Sequence, residues 1–185
     1  MTPGLGSRLP GKLLRQFGSP KDVFRASLTE LEAYHLPSAP ARAIQSKHAR
    51  KDAEEELAQV CKLGCRLLNW DEPEYPRRLL EIYDRPPLLY VRGDAAALNR
   101  HSISMVGTRR PTPYDMQVAE RLAHDLAERG LTIVSGVARG IDSPAQQGAC
   151  RASHGAPVGV LGTEVNVIYP KENKKYSRKW KSAAR

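Results

Sequence analysis

Three short segments combine glycine with arginine or threonine in a pattern suited to binding phosphate. They are Gly107-Thr108-Arg109-Arg110, the stretch from Ser135 to Asp142, and Gly162-Thr163. Glycine lets backbone N–H groups approach a ligand closely, and an arginine beside them offers a bidentate positive fork. The sequence predicts a phosphate site made from Gly107, Thr108, Arg109, Ser135, Gly136, Arg139, Gly140 and Gly162. The alternative is that these glycines only close tight turns.

Each segment follows a short apolar run that is typical of a buried strand. The runs are Ile103–Val106, Leu131–Val134 and Val158–Leu161. Helical patterns lie between them, one beginning at Thr112-Pro113 and the other at Asp142-Ser143. The order βαβαβ implies parallel strands with right-handed crossovers, and ligands of such sheets bind beyond the carboxyl ends of the strands. The three segments are therefore expected to converge at one edge, two of them at helix N-termini that favour anions.

The helix that begins at Thr112 has apolar residues four apart. They are predicted to form its buried face: Val118, Leu122 and Leu126, with Ala119 and Ala123 beside them. In a doubly wound sheet of order 3-2-1-4-5-6 the first strand is central. Because the sequence supplies three such strands, the strand from Ile103 is expected to keep one unpaired edge. A marginal, aggregation-prone protein follows from that expectation.

Residue patterns of common enzymes are missing from the sequence. It contains no GxGxxG or GxxxxGK[ST] motif, and Ser135 lacks the GxSxG pattern of a nucleophile elbow. Asp142 stands where its helix needs an N-cap, which is its predicted role. Cys61, Cys65 and Cys150 lack the further ligands of a zinc site and are interpreted as reduced thiols. We therefore expect no catalytic residue, metal or cofactor.

The rest of the chain divides by composition. Residues 1–65 have the pattern of a small helical domain, residues 66–100 that of a connecting segment with one short strand, and residues 101–185 that of the βαβαβ domain. The net charge is +9, and residues 171–185 alone contain seven Lys or Arg against one Glu. Such a basic end suits either a nucleic-acid partner or plain solvation. Without a signal peptide or a membrane-length apolar run, a cytoplasmic protein is expected.

The strings VGTRRPTPY, LTIVSGVARGID and VGVLGTEVNVIYPKEN resemble the DNA processing protein A (DprA/Smf) family. YPRRLLEIYDRPPLLYVRG is similar to the family's lead-in, and LLRQFGSPKDVFRASLTEL to its N-terminal domain of SAM-like or helix-hairpin-helix type. The resemblance implies a Rossmann-like fold that binds single-stranded DNA without catalysis. It also implies a homodimer that protects incoming strands and helps place the RecA recombinase on them during natural transformation.

The resemblance assigns DNA contacts residue by residue. It supports Gly107, Arg109, Ser135, Gly136 and Gly140, and it adds two residues of the YPKEN string, Lys171 and Asn173. The sequence departs from the family pattern at three positions, where the family usually has glycine, histidine and glycine: Asp115, Gln146 and Glu164. A carboxylate beside a phosphate repels it, so Glu164 is expected to weaken binding if its side chain points inward.

The family's domain also continues well past YPKEN. The chain is therefore expected to be a truncated form in which the family's RecA and dimer surfaces are missing, with weak DNA binding. Two alternatives stay open. One is a nucleotide- or phosphoribosyl-handling enzyme on the same half-sheet, since related folds host such chemistry. The other is a remnant without function.

Overall fold

The structure is a computed structural model, and it describes residues 8–46, 48–163, 165 and 167. The chain forms two compact units. The first comprises Met1–Asp71 and Arg77–Leu89, and the second comprises Glu72–Pro76 and Tyr90–Arg185. Each unit has its own cluster of buried hydrophobic residues, so each is described separately.

The first unit begins with short helices around a small core. They are α1 (Arg8–Phe17), α2 (Pro20–Arg25), α3 (Leu28–Ala33), α4 (Ser38–Gln45) and α5 (His48–Lys62). Ser19 caps α2 by accepting the Asp22 N–H, and Ser27 forms a capping box with Glu30 at α3. These caps allow short helices to follow one another closely. The core consists of Leu13, Val23, Ala26, Leu31, Leu36, Ala41 and Ile44.

Two strands follow the helices, where the sequence analysis had placed only one. The elements are β1 (Arg66–Asn69), α6 (Arg77–Leu80) and β2 (Leu88–Val91), and the two strands pair as a small sheet. Trp70, which follows β1, packs against α1. The closeness of this contact is shown at Gly11, where an added Cβ would lie 3.4 Å from the Trp70 ring. The Arg85 guanidinium lies 5.0 Å from the centroid of that ring, within the range of a cation–π contact.

The second unit contains a parallel sheet covered by two helices. After a 3-10 helix at Ala95–Asn99 come β3 (Ser102–Ser104), α7 (Pro113–Glu128), β4 (Thr132–Ser135), α8 (Asp142–Arg151) and β5 (Pro157–Gly159). The strand order is β3-β4-β5, with both pairs parallel. The predicted βαβαβ order of a partial Rossmann-like domain is therefore confirmed.

β3 and β5 are each one residue shorter than predicted, whereas β4 keeps its predicted length and is shifted by one residue. Ile103 of β3 pairs with Ile133 of β4, and the last hydrogen bond between these strands runs from the Met105 N–H to the Val134 carbonyl. The next residue, Val106, is exposed. On the other side of β4, the hydrogen bonds to the chain after β5 end with the one that the Val160 N–H donates to the Ser135 carbonyl. Pairing thus stops where the chain turns away to form the loops at the carboxyl edge.

Small residues form the contact between α7 and α8. The buried positions are Ala119, Ala123 and Ala127 on α7, and Ala145, Gly148 and Ala149 on α8. The prediction of a buried face at Val118 and Leu122 was wrong, because these side chains are 44% and 49% exposed. The reason is the closeness of the helices: a Cβ at Gly148 would lie 2.0 Å from the Glu120 carbonyl oxygen. Leu126 packs at the margin of the core.

The exposed stripe on α7, formed by Tyr114, Val118 and Leu122, is expected to promote self-association. Replacing Val118 by lysine should lower the average mass measured by light scattering at high protein concentration. Because the side chain is about half exposed, the free energy of unfolding should change by less than about 0.5 kcal/mol. Leu57→Lys, at an exposed position of α5, is the matched control. An equal effect of both substitutions would mean that net charge, and not the stripe, governs association.

Candidate nucleic-acid interface

The loop after β3 is anchored at its far end by the start of α7. Thr112 and Asp115 form a capping box: the Thr112 N–H donates to the Asp115 carboxylate at 2.9 Å, and the Asp115 N–H donates to the Thr112 hydroxyl at 3.2 Å. The hydrogen bonds from the Thr112 backbone and side chain lower the pKa of Asp115. The helix predicted to begin at Thr112-Pro113 thus has Thr112 as its N-cap and Pro113 in its first turn, and Asp115 stabilises this helix end.

The loops after β3 and β4 pack directly on each other. The Ile141 N–H donates to the Thr108 carbonyl at 3.2 Å. A Cβ at Gly140, where φ is +96°, would lie 2.0 Å from the same carbonyl oxygen, and one at Gly107 would lie 2.7 Å from the Ile141 side chain. These two glycines are needed for the contact between the loops. The packing of the loops accounts for both glycines without a ligand, and it is a different role from the closing of tight turns.

Asp142 does not cap its helix, and that prediction was wrong. It is the first residue of α8, after Ile141 at the N-cap, and no side chain caps this helix end. The carboxylate is only 6% exposed and accepts the Ala138 N–H at 3.2 Å. It turns back toward the preceding loop, with a Cβ at Gly136 only 3.0 Å away from it. Asp142 therefore shapes the loop after β4.

Three amides of the loop after β4 donate hydrogen bonds within the protein. The Val137 N–H donates to the Ser135 hydroxyl, the Ala138 N–H to Asp142 and the Ile141 N–H to Thr108. Ser135 itself is buried, so its hydroxyl supports the loop. An anion at this edge of the sheet must consequently rely on arginine side chains more than on these three amides.

Three exposed arginines surround an open groove of about 620 Å³ at the carboxyl edge of the sheet. The lining residues are Arg109, Arg110, Pro111, Met116, Glu120, Arg139, Gly140, Ser143, Pro144 and Gln147. Glu120 forms a salt bridge with Arg151 on the neighbouring helix, which offsets its negative charge. The groove is therefore basic, and its floor carries apolar side chains. A volume of this size accommodates a small ligand or part of a larger one.

The structure brings together only part of the predicted site. Arg109, Arg139 and Gly140 line the groove, whereas Gly162 is an exposed residue three positions after β5. Lys171 and Asn173, and the departure at Glu164, lie outside the described residues. The sequence analysis missed the helical side of the groove: Met116, Glu120, Ser143 and Gln147. The sequence did contain a signal for these residues. Met116 and Glu120 are four residues apart near the start of one helix, and Ser143 and Gln147 are four apart near the start of the next, so each pair lies on one helix face.

Other candidate chemistry has little support in the described residues. No group of three His, Cys, Asp or Glu side chains in that part of the chain is placed to hold a metal ion. Cys61, Cys65 and Cys150 form no disulfide bond, and Cys65 is buried. Among the same residues, no helix combines the length and the apolar character that crossing a bilayer requires.

The fold and the groove define a Rossmann-like α/β protein with a basic groove at the carboxyl edge of its sheet. Residues 66–184 match the family described as DNA recombination-mediator protein A, and the chain belongs to this family. A DNA processing protein DprA of Bacillus subtilis is 36% identical over 118 residues, which are 63% of this chain and 39% of that protein. The chain thus spans about two fifths of the length of this relative. The resemblance seen in the sequence is confirmed.

Two solved structures are similar to the fold. DprA of Streptococcus pneumoniae superposes with a TM-score of 0.77 at 27% identity, covering 96% of this chain and 60% of that one. DprA of Helicobacter pylori, described for its single-stranded DNA binding mode, superposes with a TM-score of 0.55 at 31% identity. That match covers 64% of this chain and 53% of the other. Both similarities support the assignment to the family.

Proposed function

We propose that the chain binds single-stranded DNA in the groove between the loops after β3 and β4, without catalysing a reaction. The observation that carries the proposal is the convergence of Arg109, Arg110 and Arg139 on one open groove in a chain of this family. Guanidinium groups bind phosphate through bidentate, charge-assisted hydrogen bonds. The single-stranded DNA bound by the Helicobacter pylori relative agrees with a backbone ligand of this kind.

The contacts are expected to be neutral to sequence. Arginines on loops bind phosphates, and phosphate contacts position a strand without specifying its bases. In the cell this activity would handle single strands during natural transformation, in the cytoplasm. RecA loading and a homodimer are properties that the resemblance implies for the family and are not part of this proposal, and the assignments of Lys171 and Asn173 stay predictions.

The alternative of a nucleotide- or phosphoribosyl-handling enzyme has less support. Such an enzyme needs a carboxylate that is available beside the glycine loops. Among the described residues, Asp142 is buried and accepts the Ala138 N–H, and Glu120 is paired with Arg151, while Glu164 lies outside the described residues. Competition distinguishes the two functions, because a free nucleotide at millimolar concentration should displace DNA from an enzyme's nucleotide site and should barely displace it from a groove that binds along a strand.

Replacing Arg109 by alanine should weaken binding of oligo-dT and of a mixed-sequence strand by the same factor, about tenfold, because one charge-assisted contact to phosphate is lost. The slope of log K against log salt should become shallower by about one unit or less. Fluorescence anisotropy titrations at four salt concentrations measure both quantities. Arg50→Ala, an exposed arginine of α5, removes the same charge elsewhere and serves as the control. Unequal losses on the two strands would contradict phosphate-only recognition.

A further inference from the structure

Val137, in the loop after β4, has a strained backbone. Its φ is +54°, and it is one of two described non-glycine residues in the left-handed region. A β-branched side chain makes this conformation costly, so it persists only where the surroundings impose it. The side chain is 1% exposed and occupies the space beside Gly159, where an added Cβ would lie 2.5 Å from Val137 Cγ2. The loop is thus seated against the end of β5.

Gln146 holds the hydroxyl that binds the strained residue. The Val137 N–H donates to Ser135 Oγ at 3.3 Å, and Gln146 Nε2 donates to the same oxygen at 2.9 Å. The second N–H of that amide donates to the Val158 carbonyl at 3.0 Å. Gln146 is only 2% exposed. One amide nitrogen therefore ties β4, β5 and the loop together.

A primary amide suits this position because both acceptors need a donor on one atom. Leucine has a similar size and supplies none, which would leave the Val158 carbonyl without this donor and free the Ser135 hydroxyl to rotate. Only Ala138 separates Val137 from Arg139, whose side chain lines the groove. The backbone conformation at Val137 consequently sets where the backbone of Arg139 lies and from which point its side chain reaches toward the groove.

We propose that Gln146 is a positioning residue for DNA binding, which keeps Val137 in its strained conformation and thereby holds Arg139 at the groove. The inference rests on the proposed function. It adds that a buried residue, which is not among those lining the groove, controls the number of phosphate contacts. The hydrogen bonds of Gln146 are needed because the conformation at Val137 is strained. If the loop relaxed, it would carry Arg139 to a different place.

The test uses the full chain and a fluorescent oligo-dT. Gln146→Leu should weaken binding about tenfold and make the salt slope shallower by about one unit, as Arg139→Ala should. The double variant should bind no more weakly than Arg139→Ala alone, since both changes remove the same contact. Gln59→Leu, on the exposed side of α5, is the matched control. An unchanged salt slope in Gln146→Leu would reduce the residue to a purely structural role and overturn the proposal.

A second variant tests whether the effect of Gln146→Leu depends on the strain at Val137. Glycine adopts the left-handed conformation without penalty. In a Val137→Gly background, Gln146→Leu should therefore weaken binding by only about twofold, the coupling being measured as a double-mutant cycle. Equal factors in the two backgrounds would contradict the link to strain. Failure of the unaltered chain to bind the oligonucleotide would instead refute the proposed function, so the two failures are distinguishable.

Discussion

Replacing Gly140 by alanine is expected to weaken single-stranded DNA binding about a hundredfold, more than the loss of any single arginine. The added Cβ would lie 2.0 Å from the Thr108 carbonyl oxygen and 2.7 Å from Arg109 Cα, and these are backbone atoms that cannot rotate away. The loops after β3 and β4 must then separate. Arg109 and Arg139, one on each loop, would leave the groove together, and two contacts of about tenfold each multiply to that factor.

The conformation at Gly140 adds a second cost. Its φ of +96° lies in a region that alanine adopts only at a penalty of about 1–2 kcal/mol. Gly130→Ala isolates this term, because Gly130 has a φ of +83° with nothing within 4 Å of an added Cβ. The control should lose stability in a thermal melt and bind DNA as the unaltered chain does. Anisotropy titrations that give Gly140→Ala the same affinity as the control would contradict the role of the loop contact.

Local signals in the sequence were sufficient for the order of elements. The capping residues Thr112 and Asp115, and the alternation of apolar runs with helical spacing, are properties of neighbouring residues. They predicted the parallel βαβαβ sheet and the convergence of loops at its carboxyl edge. Arg109 and Arg139 were singled out in the same way, since each follows a strand end, and both line the groove.

Features that depend on a distant partner were not predictable from spacing alone. Asp142 is of a residue type that often caps helices. Its carboxylate instead accepts the Ala138 N–H, which belongs to the loop before the helix. Gln146 gave no sign that it would bind β4 and β5 at once. Val118 and Leu122 are more hydrophobic than the alanines beside them on α7. Nevertheless the alanines are the buried residues of this helix and face α8. There the contact distance between the helices, and not hydrophobicity, decides which residues are buried.

That contact distance leads to the largest expected effect on stability, at Gly148. Within a helix, glycine to alanine normally stabilises by about 1 kcal/mol. At Gly148 the added Cβ would lie 2.0 Å from the Glu120 carbonyl oxygen and 3.0 Å from the His124 nitrogen, both backbone atoms of α7. Overpacking of this kind costs about 3 kcal/mol, the upper end of the usual range, because neither helix backbone can give way locally.

The net expectation is a destabilisation of about 2 kcal/mol and a melting temperature lower by about 10 °C. Gly11→Ala in α1 is the matched control, since its Cβ would make an ordinary 3.4 Å contact with Trp70. If helix propensity alone decided stability, both variants would have a higher melting temperature than the unaltered chain. The sign of the change in melting temperature of Gly148→Ala therefore distinguishes overpacking from propensity. A higher melting temperature for Gly148→Ala would mean that α7 and α8 separate easily. In that case the groove between Glu120 and Gln147 would not be a fixed surface, and Arg109 and Arg139 would have to be held by the loop contacts alone.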